Sequence, residues 1–293
     1  MKCFNTLRLT FYDLRKLTRS QQRYINEGDL VLQGKMARVI CIANQKGGVG
    51  KTTTAINLAA SLALNEKSTL LIDADPQGNA SSGVSLSKDK IKNNLYHAIL
   101  DGLKIEEVIY STELSYLRVI PSHLDLFGAE VELVNLPNRE GRIRNLIEPV
   151  RSEFEYILID CPPSLGFLTL NALTAADSVL VPVQCEYYSL EGLAHLFETL
   201  RRVKKVLNPG LAMEGILLTM FDVRNKLSHL IVQDIRTHFN DRAFTVIIPR
   251  NVRLSEAPSF GKPAYFYDKN SRGAQCYLEL AREIIRKRSN PHE

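Results

Sequence analysis

The residues best suited to chemistry lie in one run, Asn44-Gln45-Lys46-Gly47-Gly48-Val49-Gly50-Lys51-Thr52-Thr53. Three glycines among ten residues let the backbone turn its N–H groups toward one point. The helix expected next, with Ile56, Leu58, Ala59 and Leu62 on its apolar positions, adds the partial positive charge of its amino end. Such a loop holds a polyphosphate, with Lys51 on the outer phosphates and the Thr52 hydroxyl helping to hold Mg²⁺. The usual spacing G-x-x-x-x-G-K-[ST] asks for glycine at position 45, where this chain has Gln45. The additional Lys46 places a second ammonium beside Lys51, which fits either a solvated lysine or one that reaches the phosphates of a second subunit. Three carboxylates follow at the ends of apolar runs: Asp73 and Asp75 after Leu70-Leu71-Ile72, and Asp160 after Tyr156-Ile157-Leu158-Ile159. Carboxyl ends of parallel strands are where open α/β sheets bind ligands, although a strand-end aspartate is also a common turn former.

The elements that must position these groups are legible as alternation. Strands are expected at 37–43, 69–74, 117–120, 156–160, 178–183, 214–220 and 244–248. Helices are expected near 52–65, 92–100, 123–134, 139–152, 166–175, 189–207, 226–239 and 272–288. β-branched runs alternating with helical periods predict an α/β fold, a doubly wound and mostly parallel sheet flanked by helices in the manner of P-loop NTPases. Uninterrupted apolar strands imply burial on both faces. With no repeat, low-complexity tract or linker after residue 35, residues 36–293 are expected to be a single domain.

At 293 residues, 45% hydrophobic and 24% charged, the composition is that of a globular chain and excludes disordered, collagen-like and coiled-coil classes. No apolar run approaches the roughly 20 residues of a membrane span. Five cysteines without a C-x-x-C pair suggest neither a disulfide framework nor a zinc or iron–sulfur site, and fit reduced thiols in a cytosol. Net charge is +5, of which residues 1–35 carry +4 (seven basic, three acidic), so any contact with nucleic acid by the remainder must come from a local basic patch. Residues 1–35 have no period that continues through the segment and no signal-peptide core. They are expected to be a flexible basic extension or to lie upstream of the true start at Met36.

The run K-G-G-V-G-K-T-T, followed by D-A-D-P-Q-G-N-A at 73–80, resembles the deviant Walker ATPases of the ParA/MinD superfamily, most nearly the ParA (Soj-like) partitioning proteins of chromosomes and plasmids. The resemblance continues through Y-I-L-I-D-C-P-P-S at 156–164, V-P-V-Q-C-E-Y-Y-S-L-E-G at 181–192 and I-P-R-N-V-R-L-S-E-A-P-S-F-G-K-P at 248–263, and so covers residues 36–293. It implies a Mg²⁺-dependent ATPase in which Lys46, Gly47, Gly48, Val49, Gly50, Lys51, Thr52 and Thr53 hold the phosphates. By the same resemblance Asp160 and Thr52 orient the metal, Asp160 through water, while Asp75 positions or deprotonates the attacking water and Asp73 supports the neighbouring loop. Lys46 would contact the nucleotide of the partner subunit, making ATP the link in a sandwich homodimer.

The resemblance also places Pro249 and Asn251 near the adenine. It implies that Arg224 and Arg253, with Arg250 and Lys262 nearby, hold double-stranded DNA without sequence preference. A ParB-like centromere-binding partner would stimulate hydrolysis, in a cytoplasmic, nucleoid-associated cycle. The alternative reading is a MinD-like positioning ATPase that cycles on a membrane. It would use the apolar face Tyr277, Leu280, Ala281, Ile284 and Ile285 as an anchor, a face equally suited to docking on a core.

Overall fold

The computed structural model describes residues 36–86, 91–186 and 189–289, so the basic segment 1–35 and two tyrosines of the 181–192 motif lie outside the described residues. Among the described residues eight strands form one sheet: β1 Arg38–Ile42, β2 Thr69–Asp73, β3 Tyr110–Ser111, β4 Leu117–Ile120, β5 Tyr156–Asp160, β6 Ser178–Gln184, β7 Ala212–Phe221 and β8 Ala243–Pro249. Their order is β3-β4-β2-β5-β1-β6-β7-β8, parallel except for β3, which pairs antiparallel with β4 at the edge. β1 lies between β5 and β6, with Ile42 opposite Asp160 on one side and Leu180 on the other. This central position brings the ends of β1, β2 and β5, and hence the expected site, to one edge of the sheet.

The helices are α1 Lys51–Leu64, α2 Asn79–Ser82, α3 Leu126–Glu132, α4 Arg142–Ile147, α5 Phe167–Ala175, α6 Ser189–Val206, α7 Lys226–Phe239, α8 Val252–Glu256, α9 Ala264–Tyr267 and α10 Arg272–Ser289. Alternate residues of each strand face opposite layers. Val39, Cys41, Ile157 and Ile159 pack with Leu126, Leu133, Leu168 and Leu196, while Ile40, Ile42, Leu71 and Leu158 pack with Leu58, Leu62, Tyr277 and Leu280. The apolar face of α10 is therefore in the core, and the Tyr277 hydroxyl lies 3.1 Å from that of Thr54 in α1. The surface that a membrane anchor would need is already covered. Among the described residues no helix is long and apolar enough to cross a membrane.

The expected strands are all present, and the differences fall on short elements. β3 lies outside the expected set, because two residues carry no alternation to read. The helix expected at 92–100 is reduced to a π-helical turn at His97–Asp101, which opens after Asn94 accepts the Tyr96 amide and closes at Gly102. The helix expected at 139–152 is α4 followed by a 3₁₀ turn at Glu148–Val150, where Pro149 lacks the N–H that would continue it. The four described cysteines, Cys41, Cys161, Cys185 and Cys276, are free and buried, and the Cys41 and Cys161 sulfurs lie 3.3 Å apart.

Candidate nucleotide site

The loop between β1 and α1 is held from both sides. Asn44 donates through Nδ2 to the Pro182 carbonyl (2.7 Å) and accepts the Lys46 amide at Oδ1 (3.0 Å), which ties the start of the loop to β6. The Thr219 hydroxyl of β7 donates to the Val49 carbonyl at 2.8 Å, which ties down its end. Gly48 (φ 72°) and Gly50 (φ 90°) occupy the left-handed region that a side chain disfavours. A Cβ added at Gly47 or Gly48 would meet nothing within 4 Å, so the space above the loop is open. Helix α1 has no side-chain cap at its amino end, leaving first-turn amides and the helix dipole free to face an anion.

Lys51 is only 6% exposed, and its ammonium donates to the Lys46 carbonyl at 3.2 Å. Burial lowers its pKa, while the neighbouring charges of Asp160, Cys161 and Asp75 act the other way. Lys46 is half-buried at the rim, and its ammonium forms no ion pair among the described residues.

The three aspartates meet below this loop in three different states. Asp73 is fully buried and accepts both the amide and the hydroxyl of Ser81 at 2.7 Å, and the Asp75 amide at 3.3 Å. Desolvation lifts its pKa to about 6 against the lowering effect of those Ser81 bonds. Ser81 in turn accepts the Ser122 amide (3.1 Å), which connects the segment after β2 to the end of β4. Asp75 is buried within this turn, 9% exposed, with one oxygen accepting the Gln77 amide. Asp160 is fully buried and neither carboxylate oxygen has a hydrogen-bond partner. Desolvation and the nearby Asp73 hold its pKa well above the usual range, offset in part by the Thr52 hydroxyl and by Lys51.

An orphaned buried carboxylate is costly unless a ligand completes it. Asp160 and the Thr52 hydroxyl are hard oxygen donors of the kind Mg²⁺ takes when phosphates and water fill its other positions. Among the described residues no group of three or more His, Cys, Asp or Glu forms a metal cage, so the donor set fits a metal shared with a phosphate ligand.

The outer residues are less concentrated. Pro249 closes β8, and Asn251 caps α8 by accepting the Arg253 amide at 3.0 Å, which gives it a structural task. Arg224 and Arg250 lie at the carboxyl ends of β7 and β8, joined by the Arg250 amide donating to the Phe221 carbonyl (2.9 Å). Arg224 is paired with Asp222 at 2.9 Å, Arg250 with Glu186 at 3.3 Å, and Arg253 with Glu256 at 2.8 Å. Lys262 stands apart, lining a small cavity with Ser85, Glu113 and Leu114. The supports of the site were not singled out from sequence. Asn44, Ser81 and Thr219 hold its loops, and Glu130 of α3 accepts the Phe167 amide at 2.7 Å and so anchors α5. Their only sequence signal is a polar residue within an otherwise apolar setting.

A protein-family profile described as "AAA domain" matches residues 37–213. The chain is 59% identical over 256 residues to the chromosome partitioning protein ParA of Myxococcus xanthus, covering 87% of this chain and 90% of that protein. It is 51% identical over 249 residues to the sporulation initiation inhibitor protein Soj of Bacillus subtilis, covering 85% and 98%. A solved structure of cobyrinic acid a,c-diamide synthase from Mycobacterium smegmatis with bound ADP and magnesium superposes with a TM-score of 0.74 at 32% identity, covering 88% of this chain and 97% of that one. With most of its length aligned at such identities, and with the phosphate loop and strand-end aspartates assembled as described, the chain belongs to the ParA/Soj family of chromosome partitioning ATPases.

Proposed function

We propose that residues 36–293 form an ATPase domain that binds ATP and Mg²⁺, dimerises around the nucleotide, holds DNA without sequence preference, and releases it on hydrolysis stimulated by a ParB-like partner. The observation that carries the nucleotide part is a buried Lys51 beside an orphaned Asp160, under an open glycine loop. Gly47, Gly48, Val49 and Gly50 present backbone amides to the β- and γ-phosphates, and Thr52 and Thr53 continue the cradle into α1. Lys51 neutralises charge that builds on the transferring phosphoryl group, and Lys46, at the rim, does so for the nucleotide of a second copy. Asp75 orients and accepts a proton from the attacking water. Its own turn holds it in place through the Asp73–Ser81 bonds. Asp160 and Thr52 would hold Mg²⁺, which when bound supplies charge neutralisation at the phosphate oxygens. Pro249 and Asn251 border the adenine.

The DNA part rests on Arg224, Arg250 and Arg253 at one end of the sheet, with Lys262 as an outlying contact. The three arginines are exposed and their acidic partners half-buried, and ion pairs this open to solvent are weak enough for phosphates to displace. The reading is tested by measuring binding to a nonspecific DNA fragment with ATP, ADP or no nucleotide across a salt series. Tight, salt-sensitive binding with ATP alone supports it; binding indifferent to nucleotide would overturn the switch.

A further inference from the structure

Helix α3 is apolar on two faces. Leu126, Ala129 and Leu133 are fully buried beneath it, while Leu124 (59% exposed), Phe127 (53%), Val131 (73%) and Val134 form a second stripe open to solvent. These four positions recur at intervals of three, four and three residues. They fall on one side of the continuous helical stretch formed by the turn at 124–125, α3 and the 3₁₀ turn Leu133–Asn135. Contiguous exposed apolar surface of this sort marks an interaction site. Its border is acidic on the side of Tyr96, while at the far end the Arg139 guanidinium donates to the Val134 carbonyl. The Tyr96 hydroxyl, beside the stripe, donates to Glu132 at 3.1 Å, and Asp101 and Asp125 are close enough to act on the same phenol.

One segment of this chain has the complementary pattern. Phe4, Leu7, Phe11 and Leu14 recur at the same intervals of three, four and three, and residues 1–20 carry Lys2, Arg8, Arg15, Lys16 and Arg19 against a single acid, Asp13. We propose that this N-terminal segment docks on the Leu124–Phe127–Val131–Val134 stripe of its own chain, apolar side to apolar side, with its basic residues over Asp101, Asp125 and Glu132. The stretch between Leu17 and Met36 spans up to about 60 Å when extended, enough to cross one face of a domain of this size. Both halves are satisfied at once: exposed apolar area is covered, and opposite charges flank the contact.

The position matters because a cleft of about 490 Å³ separates the stripe from the aspartate turn. Leu124 and Asp125 line one wall of the cleft, and Pro76, Gln77 and Gly78 the other. The docked segment would therefore border the turn that carries Asp75. The proposal concerns a surface that the nucleotide and DNA reading leaves unused and does not depend on it.

The chain contains no tryptophan, so Phe11→Trp in the full-length protein gives a single fluorescent reporter. Docking predicts an emission maximum shifted to the blue of the same 1–20 peptide free in buffer, shielding from acrylamide, and no dependence on protein concentration. Adding Phe127→Glu and Val131→Glu should abolish the shift, as should Leu14→Glu, which leaves the folded domain untouched. Val206→Glu, on an exposed apolar residue elsewhere, should not. Carbodiimide should couple Lys2 or Lys16 to Asp125 or Glu132 within one chain. A reporter that stays solvated would overturn the proposal. A shift that vanishes on dilution would assign the stripe to a second copy, and one that appears only with DNA or anionic vesicles would assign the segment to those surfaces.

Discussion

Two buried carboxylates at opposite ends of the sheet are treated in opposite ways. Glu214, near the start of β7, faces Arg38 at the start of β1 at 2.5 Å and accepts the Ser178 hydroxyl of β6 at 2.6 Å. That contact binds three adjacent strands together at the end away from the glycine loop. Asp160, at the carboxyl end of β5, is as deeply buried and has no partner on either oxygen. The paired charge belongs to the fold, even though one Glu214 oxygen and two Arg38 nitrogens remain unsatisfied, whereas the unpartnered Asp160, whose pKa burial holds well above the usual range, is left to be completed by a proton or by a ligand. Burial alone therefore does not distinguish a structural acid from a functional one; the missing partner does.

The contrast can be broken at either end. Removing the paired acid with Glu214→Ala strands Arg38 in the core, and a loss of about 3–5 kcal/mol is expected in urea unfolding, with ATP affinity of the remaining folded protein unchanged. At the other end, Lys51→Ala should leave stability nearly intact and lower phosphate release by about 10²–10³-fold, the range for losing one preorganised charge contact. Asp160→Asn sharpens the comparison further. Turnover should collapse while the nucleotide-free protein gains about 1–3 kcal/mol, since an amide needs neither a buried charge nor the proton uptake that the raised pKa of Asp160 imposes on folding. An unchanged or lowered stability in that variant would show that the fold itself needs the charge. The smallest effect is expected at the exposed arginines. Arg253→Ala should weaken nonspecific DNA binding for all sequences alike and reduce the slope of log K against log salt by about 0.9, read from the same salt series.

The same division explains what is legible in the sequence. Strands β1, β2, β4 and β5 and the loop Asn44–Thr53 were readable because burial on both faces leaves an uninterrupted apolar signature and because anion binding demands glycine at positive φ. Helices α2, α8 and α9 were not, since four or five residues cannot display a period. Nor could the tasks of Thr219 and Ser81 be read, because their partners Val49 and Asp73 become neighbours only when the chain folds. The exposed stripe on α3 was hidden for a different reason: Leu124, Phe127, Val131 and Val134 share a segment with the buried Leu126 and Leu133, so their apolar character reads as core.

The hydrogen bond from Thr219 to Val49 has one more consequence. Two residues further along β7, Phe221 receives the Arg250 amide, and between them Met220 takes a positive φ of 52° that few side chains tolerate. The glycine loop and the arginine-bearing end of β8 are thus inherited through three consecutive residues. In evolutionary terms neither can drift alone. A change at Met220 must suit both neighbours, and compensating substitutions are expected in pairs, one beside the loop and one beside Arg250.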